Sequence, residues 1–149
     1  MRRRTVFQAL LGALGGLAGT RAAQAATPGP QRSAAKAVYH LADLDKVAFA
    51  LGAIENHIAG VGGAQNATIA LVVHGPALRA FRRDAPQADI VARAAGAARQ
   101  GVALFACGNT MRSMKIESRD LAGGFEIDDR GGVVRLAELQ AQGYAYIRP

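Results

Sequence analysis

Residues 67–74 read Ala-Thr-Ile-Ala-Leu-Val-Val-His, an apolar, β-branched run without polar alternation. Such a run marks a strand covered on both faces, so the rest of the chain must supply helices above and below a sheet. Gly75-Pro76 breaks the run, and Pro76 suits the first turn of a short helix reaching to about Arg83. Ahead of it, Asp43 stands where an N-cap would open a helix. Leu44, Val47, Leu51, Ile54, Ile58 and Val61 then recur at spacings of three and four, and Gly60, Gly62 and Gly63 end the pattern. Residues 37–41 read as a first strand.

Residues 87–100 form an Ala-rich helical pattern with Ile90, Val91, Ala94, Ala95 and Ala98 inward, closed by Gly101. A third strand is expected over 102–107, followed by a Gly-Asn-Thr turn and a short helix near 110–115. A turn at 118–121, a weak strand at 125–127, a helix over 133–142 and a last strand at 144–147 complete the reading. Strands alternating with helices long enough for parallel crossovers predict one α/β domain. Its expected form is a three-layer α/β/α sandwich with a mainly parallel sheet of about five strands.

The first 25 residues have a different texture. Arg2-Arg3-Arg4 precedes an apolar stretch over 6–18 and then Ala23-Gln24-Ala25, the three parts of an export signal. Arg3-Arg4-Thr5-Val6-Phe7 fits a twin-arginine signal. That reading is preferred to an ordinary secretory one because Gly12, Gly15, Gly16 and Gly19 keep the stretch weakly hydrophobic. The stretch is too short to hold a bilayer. Residues 1–25 are thus read as a signal peptide, 26–36 as a flexible Pro/Gly/Ser/Ala tether, and 37–149 as the domain. The expected location is the bacterial periplasm. The leader carries four of the 18 basic residues and none of the 11 acidic ones, so the formal charge falls from +7 to +3 without it. That is too small and too scattered for a phosphate-tracking surface. No nucleic acid is expected as a partner, and no membrane once the leader is removed.

The chain has one cysteine, which excludes an intramolecular disulfide framework and any multi-cysteine metal site. In open parallel sheets, ligands bind outside the carboxyl ends of the strands. The predicted strands end at Tyr39-His40, His74-Gly75 and Cys107-Gly108, so two of the three histidines and the lone thiol converge on one rim. Cys107 leaves a buried strand just before a helix N-terminus, where unpaired N–H groups and the helix dipole favour an anion. That placement lowers a thiol pKa and favours a nucleophilic thiolate. Arg112 and Lys115 would add positive charge if they turned back, and Gly108 would let a ligand approach the sulfur. Equally, Cys107 could be a small buried hydrophobe.

His74 reads as a general base, an orienter of the thiolate, or a histidine bonded to backbone. His40 shares that ambiguity, and His57, between Ile54 and Ile58, reads as a core-edge residue. His40, His74 and Cys107 could make an open three-ligand metal site. The spacing does not demand one. The carboxylates Asp43, Asp45, Asp84, Asp89, Asp128 and Asp129 fall at caps and turns and form no acid/base pair. Gly60-Val61-Gly62-Gly63 follows a helix rather than opening one, so it is no phosphate cradle. A Gly-x-Ser-x-Gly elbow is missing.

Three segments carry a resemblance. They are Val72-Val73-His74-Gly75-Pro76, the stretch from Gly101 through Ala106-Cys107-Gly108-Asn109-Thr110 to Met111, and Gln142-Gly143-Tyr144-Ala145-Tyr146-Ile147-Arg148-Pro149. With them in this order, the chain resembles the DsrE/DsrF-like family from about Ala37 to Pro149. The resemblance implies a parallel α/β/α sandwich and a place in sulfur metabolism, with no metal and no organic cofactor. In family members of sulfur and tRNA-thiolation relays, a cysteine matching Cys107 carries sulfane sulfur as a persulfide. It also implies assembly as a homo-oligomer, a trimer or hexamer, and partners that are sulfur donors and acceptor thiol proteins or small sulfur compounds. The expected working residues are Cys107 and His74. The relay members are cytoplasmic, whereas the leader here directs export. Two competing readings are a binding or assembly module with Cys107 merely packed, and a periplasmic metal-binding protein using His40, His74 and Cys107.

Overall fold

The run at 67–74 becomes β2 (Ala67–Val73), whose last five residues are all buried. In the computed structural model, which describes residues 35–149, every other strand is placed by reference to it. On one side β2 pairs with β1 (Ala35–Leu41), and on the other with β3 (Ala103–Cys107). β4 (Phe125–Asp128) and β5 (Ala145–Ile147) close the edges, giving five parallel strands in the order β4-β3-β2-β1-β5. Parallel neighbours need long crossovers. These are a 3₁₀ turn (Leu44–Lys46) with α1 (Val47–Gly60), a 3₁₀ segment (Gly75–Phe81) with α2 (Ala88–Arg99), α3 (Gly108–Met114) with a 3₁₀ turn (Ser118–Asp120), and α4 (Gly132–Ala141). The expected α/β/α sandwich with a five-stranded parallel sheet is what the chain forms.

The layers are unequal. Tyr39, Leu41, Leu71, Val73, Leu104 and Ala106 point to one face, where they join Leu51, Ile54, Phe81 and Ile90 in the main core. The other face carries Val38, Ala70, Val72 and Phe105, covered through Leu136 and Leu139 of α4. That helix packs on β1, β2 and β3. A helix with its side chains is about 10–12 Å across, whereas five strands spaced about 4.8 Å apart span roughly 19 Å. One helix cannot roof this face, and its carboxyl rim is left to polar side chains. Because register sets Val38 beside Tyr146, His40 beside Val72 and Cys107 beside Asp128, these residues share the face of α4.

Several local expectations change. β1 begins at Ala35, two residues inside the segment read as tether; the leader and residues 26–34 lie outside the described residues. Asp43 makes no capping hydrogen bond; its carboxylate meets the Arg148 guanidinium at 3.3 Å instead. The 3₁₀ turn that replaces the first helical turn swings Leu44 outward, to 47% exposure. In α2 the buried stripe is Ile90, Ala94 and Ala97, while Val91, Ala95 and Ala98 lie on its flank, as 3.6 residues per turn dictate once Ala94 is innermost. Among the described residues, no helix is long and apolar enough to cross a membrane.

Gly108 gives a direct test of the packing. A Cβ there would stand 2.9 Å from the Asp128 carbonyl oxygen and 2.9 Å from the Asp129 Cα, both backbone atoms, while a Cβ at Gly123 would meet nothing. Gly108→Ala should therefore cost about 1–3 kcal/mol, read as a lower thermal midpoint. Gly123→Ala should leave that midpoint in place, and equal midpoints for the two variants would contradict this packing.

Candidate functional site

Cys107 ends β3 with extended backbone and occupies the N-cap position of α3. A side chain at that position faces the N–H groups of the second and third helical residues, here Asn109 and Thr110. The thiol closes no full capping hydrogen bond, but its surroundings still favour the anion. Burial pushes the pKa up; the Thr110 hydroxyl and the N–H groups of Gly132, Thr110 and Asn109 outweigh it and hold the thiol below its ordinary value. The Thr110 oxygen accepts a hydrogen bond from the Gly75 N–H at 3.0 Å, which leaves the hydroxyl proton free for the sulfur. Gly75 reaches that position with φ +58, a conformation glycine adopts without strain.

Gly132, the first residue of α4, completes the seat. A Cβ there would lie 3.3 Å from the Cys107 Cβ, 3.3 Å from Val72 Cγ1 and 3.5 Å from the His74 Cβ. Glycine lets the start of α4 settle onto β2 and β3 with its N–H near the sulfur, where a Cβ would have to push its neighbours back by a few tenths of an ångström. Gly131 before it has φ +111, and a Cβ at that position would sit 4.0 Å from the sulfur. Beneath this loop Cys107 is 6% exposed.

Asp128, beside Cys107 in register, anchors the loop from below. Burial raises its pKa, but the Arg130 N–H at 3.0 Å and the guanidinium groups of Arg130 and Arg135 prevail and keep it below the ordinary carboxylate value. Arg135 bonds Asp128 at 2.8 Å and Glu126 at 3.0 Å, and lies 4.4 Å over the Phe105 ring. The charge of Asp128 is thereby matched within the loop.

The histidines form a second cluster on the rim. His40 Nε2 and His74 Nε2 are in hydrogen-bonding contact. Their ring centroids are 4.7 Å apart and their planes 22° from parallel; rings lying one above the other could not bring two nitrogens so close, so they meet head to head. His40 Nδ1 hydrogen-bonds the Tyr146 hydroxyl at 2.5 Å. Burial lowers both histidine pKa values. Arg148 adds to this at both rings and His74 adds to it at His40, with Asp43 opposing. Both shifts favour the neutral imidazoles.

The structure thus brings His40, His74 and Cys107 to one rim and one face, but not into one group. His74 turns toward His40, and among the described residues no hydrogen bond joins it to the sulfur. No set of three His, Cys, Asp or Glu side chains converges as a metal site among them, so the three-ligand arrangement is not formed. Arg112 bonds the Asn109 side chain and the Asp129 carbonyl, and Lys115 is exposed at the end of α3; neither is among the groups that shift the thiol. The close neighbour allowed by Gly108 is the chain's own loop. His57 lies on the other face, its Nδ1 3.0 Å from the Tyr39 hydroxyl, a core-edge residue as expected. Sequence reasoning missed Thr110, Gly132, Tyr146 and Arg148. Only Thr110 had a local signal, standing three residues after a residue at an N-cap.

Removing the Thr110 hydroxyl should destabilise the thiolate, so Thr110→Val should raise the pKa of Cys107. The midpoint of the pH profile of iodoacetamide alkylation should move to higher pH, whereas Thr110→Ser should keep it near the parent value. An unmoved midpoint in Thr110→Val would contradict the role given to this hydroxyl.

Comparison with known proteins agrees with the fold. The model of the DsrE/DsrF-like family matches residues 23–149. The chain is similar to the protein of unknown function MTH1491 from Methanobacterium thermoautotrophicum, with 26% identity and a TM-score of 0.68 over 77% of this chain and 99% of that one. It shares the fold of the ychN protein from E. coli, with 17% identity and a TM-score of 0.61 over 76% of this chain and 99% of that one. No curated protein matches it. On the extent of the family match, which takes in every strand and helix of the sheet and its layers, the chain belongs to the DsrE/DsrF-like family.

Proposed function

We propose that this protein carries sulfane sulfur as a persulfide on Cys107. Membership of the family suggests a role in sulfur relay. The finer reading rests on one observation: the chain's single thiol sits where a hydroxyl and three backbone N–H groups favour its anion despite burial. The thiolate is the nucleophilic form of cysteine. A sulfane chain is one atom wide, which suits a thiol with as little exposure as that of Cys107.

In the loading step the Cys107 thiolate attacks the terminal sulfur of a polysulfide, of thiosulfate or of a partner's persulfide. A bond forms between Sγ and that sulfur, and the donor's S–S bond breaks with its electron pair leaving on the donor. The sulfur moves without net oxidation or reduction. An acceptor thiolate then takes the outer sulfur by the same exchange and restores Cys107. Donor and acceptor are thiol proteins or small sulfur compounds, met in the periplasm if the leader acts as read above.

The test is intact-protein mass spectrometry after incubation with polysulfide or thiosulfate. The expected result is a gain of one sulfur atom, reversed by a reducing thiol and absent in folded Cys107→Ser. Loading that persists in Cys107→Ser, or no adduct on folded protein with an intact thiol, would overturn the proposal. The second outcome would favour the binding-module reading.

A further inference from the structure

We propose that Tyr146, His40 and His74 form a proton relay that protonates the donor's sulfur as it departs during loading of Cys107, and that is reset when Cys107 hands the carried outer sulfur on. This rests on the persulfide reading above, and it follows from how that chemistry must balance. With an alkyl persulfide as donor, the Cys107 thiolate bonds to the outer sulfur and the donor S–S bond breaks. The inner sulfur leaves as an alkyl thiolate that takes up one proton to become a thiol. Loading thus consumes one proton, and delivery to an acceptor thiol releases one. An alkyl thiol has a pKa of about 8.5, so its sulfur departs far more readily when protonated on leaving.

The groups that hold the Cys107 anion cannot supply that proton, since backbone N–H groups and a threonine hydroxyl do not ionise near neutral pH. Asp128, beside Cys107, is ionised and held by Arg130 and Arg135. Asp43, near the histidines, is paired with Arg148. The neutral imidazoles remain. His74 follows directly on the pairing of Val73 with Ala106, which makes it the strand neighbour of Cys107. Both side chains also flank Gly132.

The bonding pattern sets the direction of the wire. Two neutral imidazoles meeting at Nε2 share one hydrogen. When His40 Nε2 donates it to His74 Nε2, His40 Nδ1 accepts from the Tyr146 hydroxyl and His74 carries its proton on Nδ1. That nitrogen has no hydrogen-bond partner among the described residues. No buried side-chain nitrogen or oxygen among them lacks a partner, so His74 Nδ1 is in contact with solvent. At the other end Tyr146, 43% exposed, reaches solvent. On loading, His74 Nδ1 gives its proton to the departing sulfur, the Nε2 hydrogen passes from His40 to His74, and the Tyr146 proton passes to His40 and is replaced from water. On delivery, the proton of the acceptor thiol enters at His74 Nδ1 and the wire runs back to its first state.

The test compares two reactions of the same thiol on the full chain. Loading by glutathione persulfide, followed by rapid quench and intact mass, needs a proton at the leaving sulfur; alkylation by iodoacetamide releases iodide and needs none. In His40→Gln and in Tyr146→Phe, which keeps the ring, loading at neutral pH should fall about tenfold or more, while alkylation stays at the parent rate. Loss of both reactions together would assign these residues a structural role and overturn the relay. Unchanged loading in both variants would overturn it as well. Failure of the parent protein to load would instead refute the persulfide reading beneath it.

Discussion

The arrangement depends on the close seat of Gly132 against Cys107, Val72 and His74. A β-carbon at that position would crowd all three at 3.3–3.5 Å, at the start of the helix whose N–H meets the sulfur. The salt network of Asp128, Arg130 and Arg135 holds the same loop from the other side. Packing and electrostatics therefore converge on one backbone turn. The helix that covers this face of the sheet is also one that polarises the thiol.

The polar rim follows from an inequality between the layers. The main core is covered by α1, α2 and the 75–81 segment, whereas α4 covers the other face across β1, β2 and β3. Side chains at the carboxyl end of the less covered face sit at a boundary between protein and water. They are buried enough for histidine and thiol pKa values to shift, and open enough to meet a ligand. The shifts have different physical sources. Desolvation dominates at His40 and His74, while at Cys107 desolvation is overcome by donors aimed at the anion.

Much of this was legible in the sequence. The β-branched run at 67–74, the Gly-Pro break after it and the glycines that close the helices placed nearly every element within two residues. The strand-end rule brings His40, His74 and Cys107 to one rim from the sequence alone. What stayed hidden depended on long-range register. Tyr146 and Arg148 belong to the site because β5 pairs with β1, at a separation of more than 100 residues. The turn of His74 toward His40 rather than the sulfur follows from a diagonal contact between strands that local pattern does not encode. Asp43 had every local mark of an N-cap, yet it gave way to Arg148 and a 3₁₀ turn. Thr110 acts on the sulfur from a position that carried a signal, three residues after Cys107, but only once Cys107 is placed at the cap.

Central to this account is that the fold lowers the pKa of its lone thiol below the ordinary cysteine value. Its most direct test is the pH titration of the thiolate by ultraviolet absorbance, with Cys107→Ser as the blank; a single cysteine makes the difference signal unambiguous. The account predicts a midpoint below that of an ordinary cysteine in the folded chain, returning to the ordinary value on unfolding. A folded-state midpoint at or above the ordinary value would mean that burial prevails over the Thr110 hydroxyl and the N–H groups, and would contradict the account.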